Sequence, residues 1–165
     1  MFGSFFKSFG VGTRNSVLLS PLAGTVFPLS DVEDQIFAKG LLGQGVAVRP
    51  AGTRIVAPSD AKVETIFPTG HAVALHTAEG LDVLIHIGFN TEELAGKHFK
   101  VHAKAGDSVK RGDVLIEFDR AAIAAEGYDV TVPILICNSA EFASIKGREG
   151  KAVEELDQLL VARAR

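Results

Sequence analysis

The sequence predicts an all-β fold, an antiparallel sandwich or barrel with a few short helices. Two observations carry this. Short runs rich in Val, Ile, Leu and Phe recur along the chain, and each is closed off by Gly, Pro or Asp, the residues that supply turns. Beyond the N-terminal tail, helical candidates are confined to three short windows, 31–37, 121–126 and 140–145. Many short strands at this spacing indicate a sandwich or barrel rather than alternating β and α units.

Taken in order, the chain begins with Phe2, Phe5, Phe6 and Phe9 at the i, i+3, i+4, i+7 spacing of an amphipathic helix, with Lys7 and serines between them. Gly3, Gly10 and Gly12, with the shortness of the segment, make such a helix marginal on its own. Residues 1–16 therefore read as an N-terminal tail. Two readings of it stand open: a membrane-surface contact by residues 1–10, or a tail that is disordered or packs on its own domain. Strands are expected at 17–19, 25–27, 46–48, 54–57 and 62–67, then as a hairpin of 72–76 and 81–87. Further strands are expected at 108–110, 114–118, 131–137 and 159–162. The run from Leu18 to Val26 is echoed 37 residues later from Ile55 to Val63, and Val46-Ala47-Val48 is echoed by Val73-Ala74-Leu75. With so few identities, the echo alone is hardly more than a Val- and Ala-rich chain yields by chance. No Pro/Ser-rich linker divides residues 17–165, which read as one folded domain.

Composition bounds the function. A chain of 165 residues with 47% hydrophobic content is one domain long and can bury a core. A net charge of −3 argues against a nucleic-acid partner. No apolar run reaches the roughly 18 residues of a membrane span, and the N-terminus lacks the layout of a cleaved signal peptide. Cys137 is the single cysteine, so no intramolecular disulfide and no multi-cysteine zinc cage can form, and a reducing cytoplasm is the expected compartment.

The chemistry is expected at two histidines. His86 stands among Leu84, Ile85 and Ile87, where an imidazole needs a hydrogen-bond partner, and His71 lies just ahead of the preceding strand. If the hairpin loop has an even number of residues, the two rings face each other directly across the ladder, with Cβ atoms roughly 5 Å apart. An odd loop breaks that register. Such a pair can share a proton, a phosphoryl group or a metal. His76, His98 and His102 neighbour charged or turn residues and read as surface histidines.

The string Gly80-Leu81-Asp82-Val83-Leu84-Ile85-His86-Ile87-Gly88-Phe89-Asn90-Thr91, with Thr69-Gly70-His71 before it, resembles the phosphorylation-site signature of the glucose-class enzyme IIA domains of the bacterial sugar phosphotransferase system. Ser20-Pro21-Leu22-Ala23-Gly24-Thr25-Val26, Asp34-Gln35-Ile36-Phe37-Ala38, Ala105-Gly106-Asp107-Ser108-Val109-Lys110-Arg111-Gly112-Asp113 and Pro133-Ile134-Leu135-Ile136-Cys137-Asn138 resemble further segments of that family. The resemblance runs over about residues 17–165 and implies a duplicated β-sandwich of the hybrid-motif type. Asn90 stands where some relatives carry an aspartate, so less negative charge would face a basic partner. Glu92 stands where the signature is usually small and apolar.

The resemblance implies a phosphocarrier that works without a cofactor. His86 would accept the phosphoryl group on Nε2 while its Nδ1 donates to the Gly88 carbonyl. His71 would steady the phosphoryl oxygens, and Thr69 would orient His71. Asp34 resembles a family carboxylate at the rim of the site. On the inferred hairpin Val73 and Leu84 share the histidine face, with Phe37, Phe67 and Phe89 around it and Asn90 beside it as the surroundings that partners would meet, the apolar ones reading equally as ordinary core residues. The implied partners are the carrier HPr as donor, the enzyme IIB/IIC sugar transporter as acceptor, and regulatory target proteins. No metal is required, although His71 and His86 could bind an incidental zinc ion.

Three other readings remain open: a regulatory module that uses the histidine pair for binding only, a zinc peptidase, and a biotinyl or lipoyl carrier. The carrier would have to use Lys62 and lacks a Met-Lys-Met motif, and it leaves both histidines unexplained. The peptidase lacks a His-x-His pair.

Overall fold

The computed structural model describes residues 14–165, so the proposed helix over Phe2, Phe5, Phe6 and Phe9 lies outside the described residues. The central element is an eight-stranded sheet. Its strands, taken along the chain, are β2 (Gly24–Pro28), β3 (Gln44–Pro50), β5 (Ala61–Ile66), β6 (Ala72–Thr77), β7 (Asp82–His86), β9 (Ser108–Val109), β11 (Val132–Ile136) and β13 (Ala152–Val153). In space they run β13-β2-β3-β11-β7-β6-β5-β9. Two three-stranded sheets accompany it. One joins β1 (Ser16–Leu19), β14 (Gln158–Arg163) and β12 (Ser144–Gly147); the other joins β4 (Arg54–Val56), β10 (Val114–Phe118) and β8 (Phe99–Val101). The ladders are antiparallel, as expected for an all-β sandwich.

Period-two alternation gives the large sheet two different faces. Val46, Val48, Val73, Leu75, Val83, Ile85 and Ile134 point into the main core, where they meet Leu18, Ile55, Ile116 and Leu160 of the smaller sheets. Ala47, Ala72, Ala74, Leu84 and Leu135 point the other way, into a second cluster with Leu29, Phe37 and Phe89. Since both faces are covered, every residue of β7 and β11 is buried; β11 reads as an unbroken apolar run, and β7 carries Val83, Leu84 and Ile85 between Asp82 and His86.

The weak sequence echo corresponds to a repeated hydrogen-bond pattern. Ser20 N donates to Asp157 O and Leu156 N to Ser20 O; 37 residues on, Ala57 N donates to Asp113 O and Gly112 N to Ala57 O. Val26 with Gly150 and Lys151 is matched in the same way by Val63 with Gly106 and Asp107. Asp157 and Asp113 each accept from the backbone N–H three residues earlier. Leu156 even adopts the left-handed conformation of Gly112, with φ of 70° beside 92°.

Helices are short, and capping explains where they start. The helix expected at 31–37 divides into a 3-10 turn, Leu29–Asp31, and α1 (Gln35–Ala38), because Asp34 caps α1 by accepting from Ile36 N at 3.0 Å. Asp119 caps α2 (Arg120–Ala125) through Ala122 N. The helix expected at 140–145 is instead a 3-10 turn, Ser139–Glu141, running into β12, whose residues find ladder partners on β14. β8, β12 and β13 were not expected from the sequence, since none has a run of strand-forming residues long enough to stand out.

The hairpin register corrects one expectation. Thr77 N donates to Leu81 O at 2.9 Å and Thr77 Oγ1 accepts from Leu81 N, which lengthens the ladder and leaves a three-residue loop, Ala78 to Gly80. The odd loop pairs Ala72 with His86 and Val73 with Ile85. His71 is therefore not the ladder partner of His86. Val73, expected on the histidine face, points into the opposite core.

Candidate functional site

His71 and His86 nevertheless meet, with ring centroids 5.0 Å apart and planes 80° to one another. His86 is the last residue of β7, and its ring lies on the face shared with Ala72 and Leu84. His71 sits just outside β6, in a bend. Gly70 before it adopts φ of 74°, and Gly70 N closes a turn onto Phe67 O at 2.7 Å. Strand alternation does not extend through that bend, so His71 turns back to the His86 face while its carbonyl accepts from Ile87 N at 2.7 Å.

Each ring is held through Nδ1. Nδ1 of His86 donates to the Gly88 carbonyl at 2.7 Å, leaving Nε2 with its lone pair. Nδ1 of His71 shares a short hydrogen bond with Thr69 Oγ1. Gly88 is poised for its part by a left-handed φ of 75°, and the loop is pinned by Gly88 N to Thr131 O and Phe89 N to Asp129 O.

Both rings are buried, 5% and 6% exposed, so neither readily carries a proton. Burial, reinforced by the neighbouring His86, pushes His71 down to about 4, with the charge of Glu92 working in the opposite direction. Burial also lowers His86, against the opposing pull of the Gly88 carbonyl and of Asp34. Aromatic walls complete the site: Phe37 lies 5.1 Å from His86, Phe67 lies 5.2 Å from His71, and Phe89 packs on Phe37 at 5.4 Å. The arrangement presents an unprotonated imidazole nitrogen in a dry setting with a second imidazole beside it, which suits a nucleophile and a charge-stabilising donor.

Around this centre the expected residues separate. Asp34 is half-buried and acts on His86 through its field, whereas Asn90 is exposed, in the left-handed region with φ of 62°. Together with Glu33, Glu93 and Asp129 they border an acidic cleft of about 420 Å³. Leu84 lies on the histidine face but is fully buried, part of the apolar cluster under Phe37 and Phe89 rather than surface. Ile36 and Leu41, 52% and 69% exposed on and just after α1, are apolar surface that sequence reasoning missed. Their signal was the absence of a face for them once Phe37 is taken inward.

Among the described residues, His71, His86 and Glu92 could hold a metal ion, each offering an atom within 4.8 Å of the other two. The remaining histidines pair with carboxylates: His76 with Asp82, His98 with Glu126, and His102 with Glu117. Cys137 is no nucleophile, since burial and then the charge of Asp82 push its thiol up to about 12.

Comparison with known proteins identifies the company this geometry keeps. Residues 16–142 match the family described as phosphoenolpyruvate-dependent sugar phosphotransferase system, EIIA 1. The glucose-specific EIIA component of Haemophilus influenzae is 40% identical over 154 residues, 92% of this chain and 93% of that protein. The beta-glucoside-specific EIIBCA component of Dickeya chrysanthemi is 46% identical over 133 residues, 81% of this chain. The match spans about a fifth, 21%, of that longer relative. The glucose permease IIA of Mycoplasma capricolum superposes with a TM-score of 0.82 at 29% identity, covering 93% of this chain and 99% of that one.

Proposed function

This chain belongs to the EIIA 1 family of the phosphoenolpyruvate-dependent sugar phosphotransferase system, and from that premise we propose that it carries the phosphoryl group on His86. Membership makes it a phosphocarrier that passes phosphate to an EIIB domain. The finer assignments are ours: residues 17–165 as the carrier domain, HPr as donor, and the cytoplasm as the place of exchange. No helix among the described residues is long and apolar enough to cross a membrane.

One observation carries the reading. The two imidazoles are each held through Nδ1, and their ring centroids lie 5.0 Å apart, which supports transfer chemistry at their Nε2 atoms. The lone pair of His86 Nε2 attacks the phosphorus of the donor's phosphohistidine. An N–P bond forms as the donor's N–P bond breaks, and the electron pair returns to the donor imidazole. With the Thr69 hydroxyl donating to Nδ1, His71 keeps its proton on Nε2 and donates it in a hydrogen bond to a phosphoryl oxygen. Phosphoryl transfer depends on alignment and charge stabilisation, and the site provides both without further covalent help. Phe37, Phe67 and Phe89 keep water from the phosphoramidate. Asp34 and the acidic cleft orient a basic donor, while Ile36 and Leu41 give the apolar contact.

Intact mass after incubation with phosphoenolpyruvate, enzyme I and HPr tests the reading. Wild type and His71→Gln gain one acid-labile phosphoryl group, and His86→Ala gains none. No gain by wild type, with carriers active on a control acceptor, overturns the reading.

A further inference from the structure

Among the described residues, Glu92 is the one charged side chain against the histidine pair for which the transfer step above has no use. It belongs to the 3-10 turn Thr91–Leu94 and is exposed, whereas Thr91 and Leu94 beside it are buried. The turn is fixed at both ends: Thr91 Oγ1 donates to the Ile87 carbonyl, Glu93 N donates to Asn90 O, and Ala95 N donates to Glu92 O. A Glu92 carboxylate oxygen lies within 4.8 Å of a ring nitrogen on each histidine. Nδ1 of His71 is bonded to Thr69 and Nδ1 of His86 to the Gly88 carbonyl, so in the transfer step above the phosphoryl group sits at the Nε2 side of these same rings.

The carboxylate thus meets two different environments. Before transfer it faces neutral imidazoles, and its charge opposes the lowering of His71. After transfer it faces a group carrying nearly two negative charges. We propose that Glu92 sets the phosphoryl-transfer potential of the site, disfavouring the phosphorylated state and so driving the group onward to its acceptor. This rests on His86 being the phosphoryl carrier. Glu92 makes and breaks no bond: the N–P bond moves between imidazoles as described, and Glu92 biases the equilibrium by charge alone. A cationic side chain of a partner that meets Glu92 lifts the bias while the partner is bound. At about 5 Å, charges of this size change an equilibrium by about tenfold at low salt, and less as salt rises.

The test is the equilibrium phosphoryl partition between this protein and HPr, started from a fixed pool of phospho-HPr and read by intact mass at about 0.05 M and about 1 M salt. Glu92→Gln retains about tenfold more phosphoryl group relative to HPr than wild type at low salt, and the gap narrows at high salt. Glu92→Asp, which keeps the charge, follows wild type. Glu79→Gln, which removes the same charge at the far end of the β6–β7 hairpin, also follows wild type. Equal partition in wild type and Glu92→Gln, or a difference indifferent to salt, overturns the inference and leaves His86 as the carrier. Wild type that takes no phosphoryl group from active HPr overturns both.

Discussion

The carbonyl of Gly88 accepts a hydrogen bond at 2.7 Å from Nδ1 of His86, two residues back along the chain. That bond fixes which ring nitrogen faces the open side, and it depends on a backbone conformation, φ of 75°, that side chains other than glycine's resist. A Cβ at position 88 would stand 2.7 Å from both the Asp129 carbonyl oxygen and Thr91 Cγ2. Gly88→Ala should therefore cost roughly 1–3 kcal/mol of stability and slow phosphoryl acceptance through a displaced carbonyl. Thermal unfolding and the initial rate of acceptance check this; a variant unchanged in both would show that the turn tolerates a side chain.

Acidity should act on the site in one direction. His71 is held at about 4 against an ordinary 6.5, and His86 is also lowered by burial, so both rings are neutral at pH 7. The acceptance rate should be flat through neutrality and fall only below pH 6.5, as Nε2 begins to take protons. Stability follows the same sense. Between 6.5 and about 4 the unfolded chain binds protons that folded His71 refuses, so the stability present above 6.5 is lost as pH falls through that window. A rate that is already halved at or above pH 6.5 would contradict this.

The partner of His71 should matter through its oxygen rather than its shape. Thr69→Val removes the hydroxyl at Nδ1 and frees the ring to take the other tautomer, so onward transfer to an EIIB domain should slow by about tenfold. Thr69→Ser keeps the oxygen and should stay near wild type. Single-turnover transfer rates separate the two, and equal loss in both variants would point to packing instead.

Ile36 and Leu41 should serve partners and not the fold. Ile36→Asp with Leu41→Asp alters side chains 52% and 69% exposed, so stability should change by no more than about 0.5 kcal/mol per site. The KM for phosphoryl exchange with HPr or an EIIB domain should rise at least about tenfold, as expected for the loss of apolar contacts at the centre of an interface. An unchanged KM would place the docking surface elsewhere.

Much of this arrangement was legible in the residues themselves. Turn residues between apolar runs marked most of the larger strands, and an imidazole among Leu84, Ile85 and Ile87 marked the site. What escaped was decided by tertiary partners. Thr77 could have ended its strand or extended it, and only its pairing with Leu81 settles the loop at three residues. The bend at Gly70 then cancels the resulting slip for His71, whereas Val73, inside the regular strand, takes the full effect of the register and faces the opposite core. Ser144 to Gly147 is a strand only because β14 lies beside it.

The duplicated pattern has a practical consequence. Carried across the large sheet, the repeat sets Gly45 where the other half has Ala72, and the ladder partner of Gly45 is Leu135, so Leu135 is the counterpart of His86. The domain thus contains a twin of the proposed reaction centre, with the same pairing of strands and a leucine in place of the imidazole. The architecture makes no demand for a histidine there. On the proposed function, catalytic capacity is a local graft on one half, and exchanging the imidazole for an apolar side chain is expected to leave the scaffold standing.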